Sequence, residues 1–79
     1  MKKLLIEWID SRKQNAQWEF LSDTELPDVC RCQTIGFLLK EDQERIVLAS
    51  SLGDIGMEEQ VMGIIVIPAC SITKITDIP

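Results

Sequence analysis

The chain contains no histidine and no tyrosine among its 79 residues. Histidine titrates between about pH 5 and 8 and is the commonest neutral metal ligand and general base. Its absence leaves scattered serines and threonines, with Cys30, Cys32 and Cys70, and no imidazole to activate any of them. A nucleophilic enzyme is therefore not expected. Glycine is also scarce, and neither Gly53 nor Gly56 is followed by the lysine of a phosphate-cradling loop. No apolar run approaches the ~20 residues that cross a bilayer. The opening Leu4-Leu5-Ile6 is broken at Glu7, too early for a signal-peptide core. No membrane role, cofactor or small-molecule substrate is expected from this composition.

Cysteine is present in an odd number without a leader, which points to a reducing, cytoplasmic setting and free thiols. Cys30 and Cys32 are too close in sequence to bridge easily and share one face of a strand. A Cys-x-Cys pair, a distant cysteine and a carboxylate could hold zinc. No second Cys-x-x-Cys or histidine pair completes such a set, so small apolar packing is the preferred reading and no metal is expected.

What is there is a short, acidic chain. A length of 79 residues allows one domain, 1–79, below the ~100–150 residues of a typical domain and marginal in the core it can bury. The net charge of -5 is not spread evenly. Residues 1–40 hold six basic and six acidic side chains, and residues 41–79 hold two and seven. A surface for phosphates would have to be built mainly from the first half, where Arg12, Lys13 and Trp18 are the candidates.

Alternation organises most of the chain into strands. Leu4, Ile6 and Trp8 share one face of a strand over 3–10. Residues 33–40 alternate Ile35, Phe37 and Leu39 against Thr34, Gly36 and Leu38. The polar turn Glu41-Asp42-Gln43-Glu44 returns the chain into a strand over 45–50, followed by a loop over 51–59. Residues 60–67 are the most apolar stretch and are expected to form a central strand, stopped by Pro68, which cannot donate to a ladder. A final short strand runs over 71–78. Between the first two strands, Ser11-Arg12-Lys13-Gln14 fits a capping box, and Ala16 and Phe20 fall four apart. That predicts a short helix over 12–21; an irregular excursion pinned by Trp18 is the other reading.

The fold expected is mainly β: a small, five-stranded, strongly bent SH3-like barrel with one short helix after the first strand. Five short strands hide both faces by curling closed, and Gly36 and Gly63, isolated inside strong strands, mark where the sheet bends.

Two segments carry a family resemblance. Gly36-Phe37-Leu38, Asp42 and Ile46-Val47-Leu48 resemble the first motif of Sm-like (LSm) proteins. Gly63-Ile64-Ile65-Val66-Ile67, a two-residue hinge and Ser71-Ile72-Thr73-Lys74-Ile75 resemble the second. The family's asparagine has no counterpart in Asp42-Gln43-Glu44-Arg45, and its Arg-Gly hinge is replaced by Pro68-Ala69. Only Asp42 and Arg45 carry over as candidate RNA-binding residues. Trp8-x-Asp10-Ser11 with the Cys32–Leu38 stretch also looks like small phage and prophage proteins.

The resemblance implies a homo-oligomeric ring in which the fourth strand of one subunit pairs with the fifth of the next. The candidate interface residues are Val61, Ile64, Ile65, Val66, Ile72 and Ile75. Both faces of 61–67 are apolar, and an unpaired apolar edge invites another chain. A monomer whose helix covers the second face is the competing arrangement. Two functions stand: a ring-forming Sm-like protein of phage type serving as an RNA-binding scaffold, or an SH3-like interaction module with no nucleic-acid role.

Overall fold

A computed structural model describes residues 1–13 and 16–79. Five strands make one antiparallel sheet: β1 (Lys3–Asp10), β2 (Cys30–Glu41), β3 (Arg45–Gly53), β4 (Gln60–Pro68) and β5 (Ile72–Ile78). Their order across the sheet is β4-β3-β2-β1-β5. The chain is mainly β, as its alternation predicts, with β2 starting three residues earlier than the apolar pattern and β3 running on to Gly53. The expected helix over 12–21 is not formed among the described residues: 12–13 and 16–20 are irregular, and only Leu21–Asp23 makes a 3₁₀ turn. Positions 14 and 15 of that expectation lie outside the described residues. The physical reason is length. An isolated helix shorter than ~12–15 residues is marginal in water, and here Phe20 and Leu21 pack on nothing that would hold one.

The bend of the sheet follows from its connections. Three residues in a 3₁₀ turn, Ala69–Ser71, carry the chain from the last residue of β4 to the first of β5. In a flat sheet these strands, four intervals apart, would lie about 19 Å from each other. Four residue steps span at most about 14 Å. The sheet must therefore curl so that its outer strands approach at this end. The Ala69 N–H fastens the hinge by donating to Glu44 O (2.9 Å), and the Ser71 hydroxyl donates to Pro68 O (2.8 Å).

Two glycines permit that curl. Gly36, opposite Leu4, lets β2 press against β3: a methyl there would lie 2.8 Å from Ala49 O. Gly63 takes φ +69°, in the left-handed region that a side chain rarely adopts. The register also slips between Leu38 and Lys40, and between Glu7 and Trp8, bulges of the kind that bend a strand.

Inside the curl lie Leu4, Ile6, Ile46, Leu48 and Ile67, all buried, with Trp8, Leu38, Ile65 and Ile72 packed against them. Each fully buried side chain contributes about 1.5–3 kcal/mol. The Trp8 indole N–H donates to Thr34 Oγ1 (2.9 Å), so its polar end is satisfied. The core is small. The Cα radius of gyration is 17.0 Å, against about 12 Å for a compact chain of this length.

Candidate functional site

The sheet leaves two strands with a neighbour on one side only, β4 and β5. β4 is the product of a β-branched run, and its two faces separate cleanly. Ile67 and Ile65 stand opposite Ile46 and Leu48 and face the core. Met62, Ile64 and Val66 face away from it; Ile64 is 58% and Val66 51% exposed. On β5, Ile72 packs against the core whereas Ile75, on the same face as Ile6, remains 45% exposed. Of the six candidate interface residues, Val61, Ile64, Val66 and Ile75 are therefore exposed on the two edge strands. Ile65 and Ile72 also have a core role.

The amount of open surface is large. The chain exposes 6581 Å², against about 4,900 Å² for a compact monomer of its mass. The surplus of about 1,700 Å² includes the exposed Trp18, Phe20, Leu21 and Leu26 as well as the two open edges.

The turn between β2 and β3 is built on Asp42. Its Oδ1 accepts the N–H groups of Glu44 and Arg45, each at 2.9 Å, while its own N–H donates to Arg45 O at 3.0 Å. Its Oδ2 lies 3.6 Å from Arg45 Nε. The Glu44 N–H above all, then that of Arg45 and the guanidinium charge, hold the carboxyl below its ordinary range. Both oxygens of the candidate RNA ligand are thus engaged by its own turn, and Arg45 is committed to the same carboxylate.

Arg12, Lys13 and Trp18 lie at the other end of the molecule. Asp10 at the end of β1 pairs with Cys30 at the start of β2, and among the described residues between them only Leu21–Asp23 forms an element, a 3₁₀ turn. Arg12 and Lys13 are exposed, and Trp18 is 101% exposed, so it pins nothing. The Asp42–Arg45 turn lies at the far end of the 12-residue β2. The structure does not bring the two halves of the candidate nucleic-acid surface together.

The cysteines are free. Cys30 and Cys32 point to one side of β2 with their Sγ atoms 3.6 Å apart, and burial followed by the Cys30 hydrogen bond pushes the Cys32 thiol up, away from reactivity. Among the described residues, no group of three or more cysteines and carboxylates is arranged to hold a metal. The shallow cleft beside Trp8, ≈ 400 Å³ and lined by Glu7, Ile9, Arg31, Cys32, Gln33 and Thr73, is open and of mixed polar and apolar character. Gln33 Nε2 donates to Glu7 Oε1 (3.3 Å) across it.

A further apolar surface lies on the other side of the sheet. The face of the sheet opposite the core carries Leu5, Ile35 and Phe37, with Ile35 65% exposed. Its signal in the sequence is the second set of alternating positions, Leu5 and Ile9 in β1 and Ile35 and Phe37 in β2, interrupted by Glu7 and Gln33.

The chain matches no protein-family model, an enzyme family included, and matches neither a curated protein nor a solved structure. Among the described residues, no helix is long and apolar enough to cross a membrane.

Proposed function

We propose that the protein is a self-assembling, non-catalytic subunit of the Sm-like kind, which joins copies of itself by pairing β4 of one to β5 of the next. The observation that carries this reading is the pair of open edges on one curled sheet, β4 lined by exposed Val61, Met62, Ile64 and Val66 and β5 carrying exposed Ile75. Unpaired edge N–H and C=O groups template a further strand. A head-to-tail contact of this kind closes into a ring when the rotation per subunit permits. Protein is the partner in this reading, in a cytoplasmic setting. RNA is disfavoured by the net charge of -5 and by the engagement of Asp42 with its own turn.

Light scattering across a concentration series tests it. A mass several times 9.0 kDa is expected; a constant monomer mass defeats the reading. Val66→Lys and Ile64→Lys are the specific probes, because both side chains are exposed and can change without opening the core. Folded monomers are expected from both. Ile65→Lys is a poorer probe, since Ile65 packs on the buried cluster. Binding to uridine- or adenine-rich RNA at low salt, weakening as salt rises, would return RNA to the account.

A further inference from the structure

Residues 16–29, which lead into β2, have a composition unlike the rest of the chain. Residues 16–29 contain four acidic side chains (Glu19, Asp23, Glu25, Asp28) and no basic one. They also present Trp18, Phe20, Leu21 and Leu26, each at least 79% exposed. Four large apolar groups left in water forgo about 1.5–3 kcal/mol apiece. A segment of this kind is solvated only at a cost, yet the molecule is drawn out to 59 Å along one axis against 22 and 21 Å along the others. The arm projects from its own sheet.

The outer face of the same sheet has the opposite character. Directly opposed residues share a face, which puts Lys3, Leu5, Glu7 and Ile9 of β1 with Phe37, Ile35, Gln33 and Arg31 of β2 and with Ile78, Thr76 and Lys74 of β5. Three cations therefore surround an apolar centre with one carboxylate, Glu7, and that group is engaged by Gln33. The root of the arm already illustrates the match: Asp28 Oδ2 accepts from Arg31 Nη1 at 3.0 Å.

We propose that the arm of residues 16–29 docks on the outer β1–β2–β5 face of a second copy of this chain, its aromatic and leucine side chains covering Leu5, Ile35 and Phe37 and its carboxylates meeting Lys3 and Lys74. The apolar surfaces supply the affinity and the charges set the orientation. The contact uses the outer face, Lys74 of β5 included, and not the unpaired backbone edges of β4 and β5, and it locks together subunits that those edges join. It rests on the assembly reading to the extent that a second copy must be present.

Trp18 reports directly on this contact. In a Trp8→Phe chain it is the sole indole, and acrylamide quenching measures its exposure while light scattering measures mass on the same samples. The expected result is a shielded, blue-shifted Trp18 in the oligomer. Ile35→Glu on that background restores several-fold stronger quenching at unchanged oligomer mass, because Ile35 lies on a central strand away from both edges. Mixing these Ile35→Glu subunits with Trp8→Phe/Trp18→Phe subunits, which lack any indole but keep an intact face, should shield Trp18 again.

Strong quenching in an oligomer with an intact face overturns the docking proposal and leaves the assembly reading standing. Shielding in a monomer, or no recovery of shielding on mixing, overturns it in favour of the arm's own sheet. Monomers with a fully quenched Trp18 overturn both. If Trp8→Phe does not fold, the two-component quenching curves of the wild-type chain, of Ile35→Glu, and of Ile35→Glu mixed with Trp18→Phe subunits give the same decision.

Discussion

Gly36→Ala puts the physical account of the bent sheet at most risk. The added methyl would lie 2.8 Å from Ala49 O and 3.0 Å from Leu48 Cβ, inside ordinary van der Waals contact. One obstacle is a backbone oxygen and the other a Cβ, and Leu48 and Ala49 are completely buried, so neither can rotate aside. β2 and β3 must instead part by about half an ångström, along the segment where Phe37 faces Ala49 and Leu38 faces Leu48. Overpacking of this sort costs about 1–3 kcal/mol. Against it stands a gain of about 0.5–1 kcal/mol, because alanine has less freedom to lose from the unfolded chain. Overpacking wins, by about 1–2 kcal/mol. That is a substantial share of the roughly 4–12 kcal/mol available to a chain of this length, and corresponds to a fall in Tm of about 5–15 °C.

Gly53→Ala isolates the opposing term. The nearest atom to a methyl there is Gln60 Cβ at 3.8 Å, and the backbone is not left-handed. It should be neutral or stabilising by up to about 1 kcal/mol. Urea unfolding of the three proteins at one fixed concentration, which holds any assembly-linked stability constant, gives both numbers. The reasoning about close strand approach is refuted if Gly36→Ala is as stable as Gly53→Ala.

Three further outcomes follow from the same contacts. Gly63→Ala forces a side chain into φ +69° and into the Ser50 hydroxyl, which then loses its bond to Met62 O (3.1 Å); the loss should be about 2–3 kcal/mol by urea unfolding, and a value under about 0.5 kcal/mol would contradict it. Thr34→Val keeps shape but removes the acceptor of the Trp8 N–H, so stability should drop by about 1 kcal/mol with little change of fold; an unchanged unfolding midpoint would mean that water replaces the hydroxyl. Asp42 has its folded pKa below the unfolded value, so its stabilising effect is present above the unfolded pKa of about 4 and is lost as pH falls through the folded pKa. Asp42→Asn should therefore be less stable than wild type at about pH 6, and the gap should close below about pH 4. A gap that persists at low pH would assign the effect to turn geometry rather than charge.

The strands were legible because their residues obey a period of two against a buried face. Leu4, Ile6 and Trp8 read as one side of β1, and they are the side that packs on the core. Ile65 and Ile67 likewise separate from Ile64 and Val66 by alternation alone. The glycine bends at Gly36 and Gly63 were legible for a related reason: a glycine among β-branched neighbours has few other uses. The helix over 12–21 was misread because capping and spacing are local signals, while a helix this short needs a surface to lie on. Barrel closure, expected from the need to hide both faces, is not made by the strands themselves: β4 and β5 come together at the Ala69–Ser71 hinge without pairing. The candidate site was less legible. Asp42 and Arg45 were singled out by family pattern, but only the turn geometry shows their groups engaged with one another.

By itself, then, the sequence determined a small, acidic, mainly β chain without histidine, with apolar residues on both sides of its fourth strand. Those properties depend on residue type and on spacing over a few positions, which the chain carries in plain view. Which strand lies beside which was decided only by the tertiary structure. The order β4-β3-β2-β1-β5 makes the apolar β4 an edge rather than a centre. It also sets Lys3, Arg31 and Lys74, distant in sequence, on one face. Such pairings depend on contacts between residues dozens of positions apart, and no local pattern contains them.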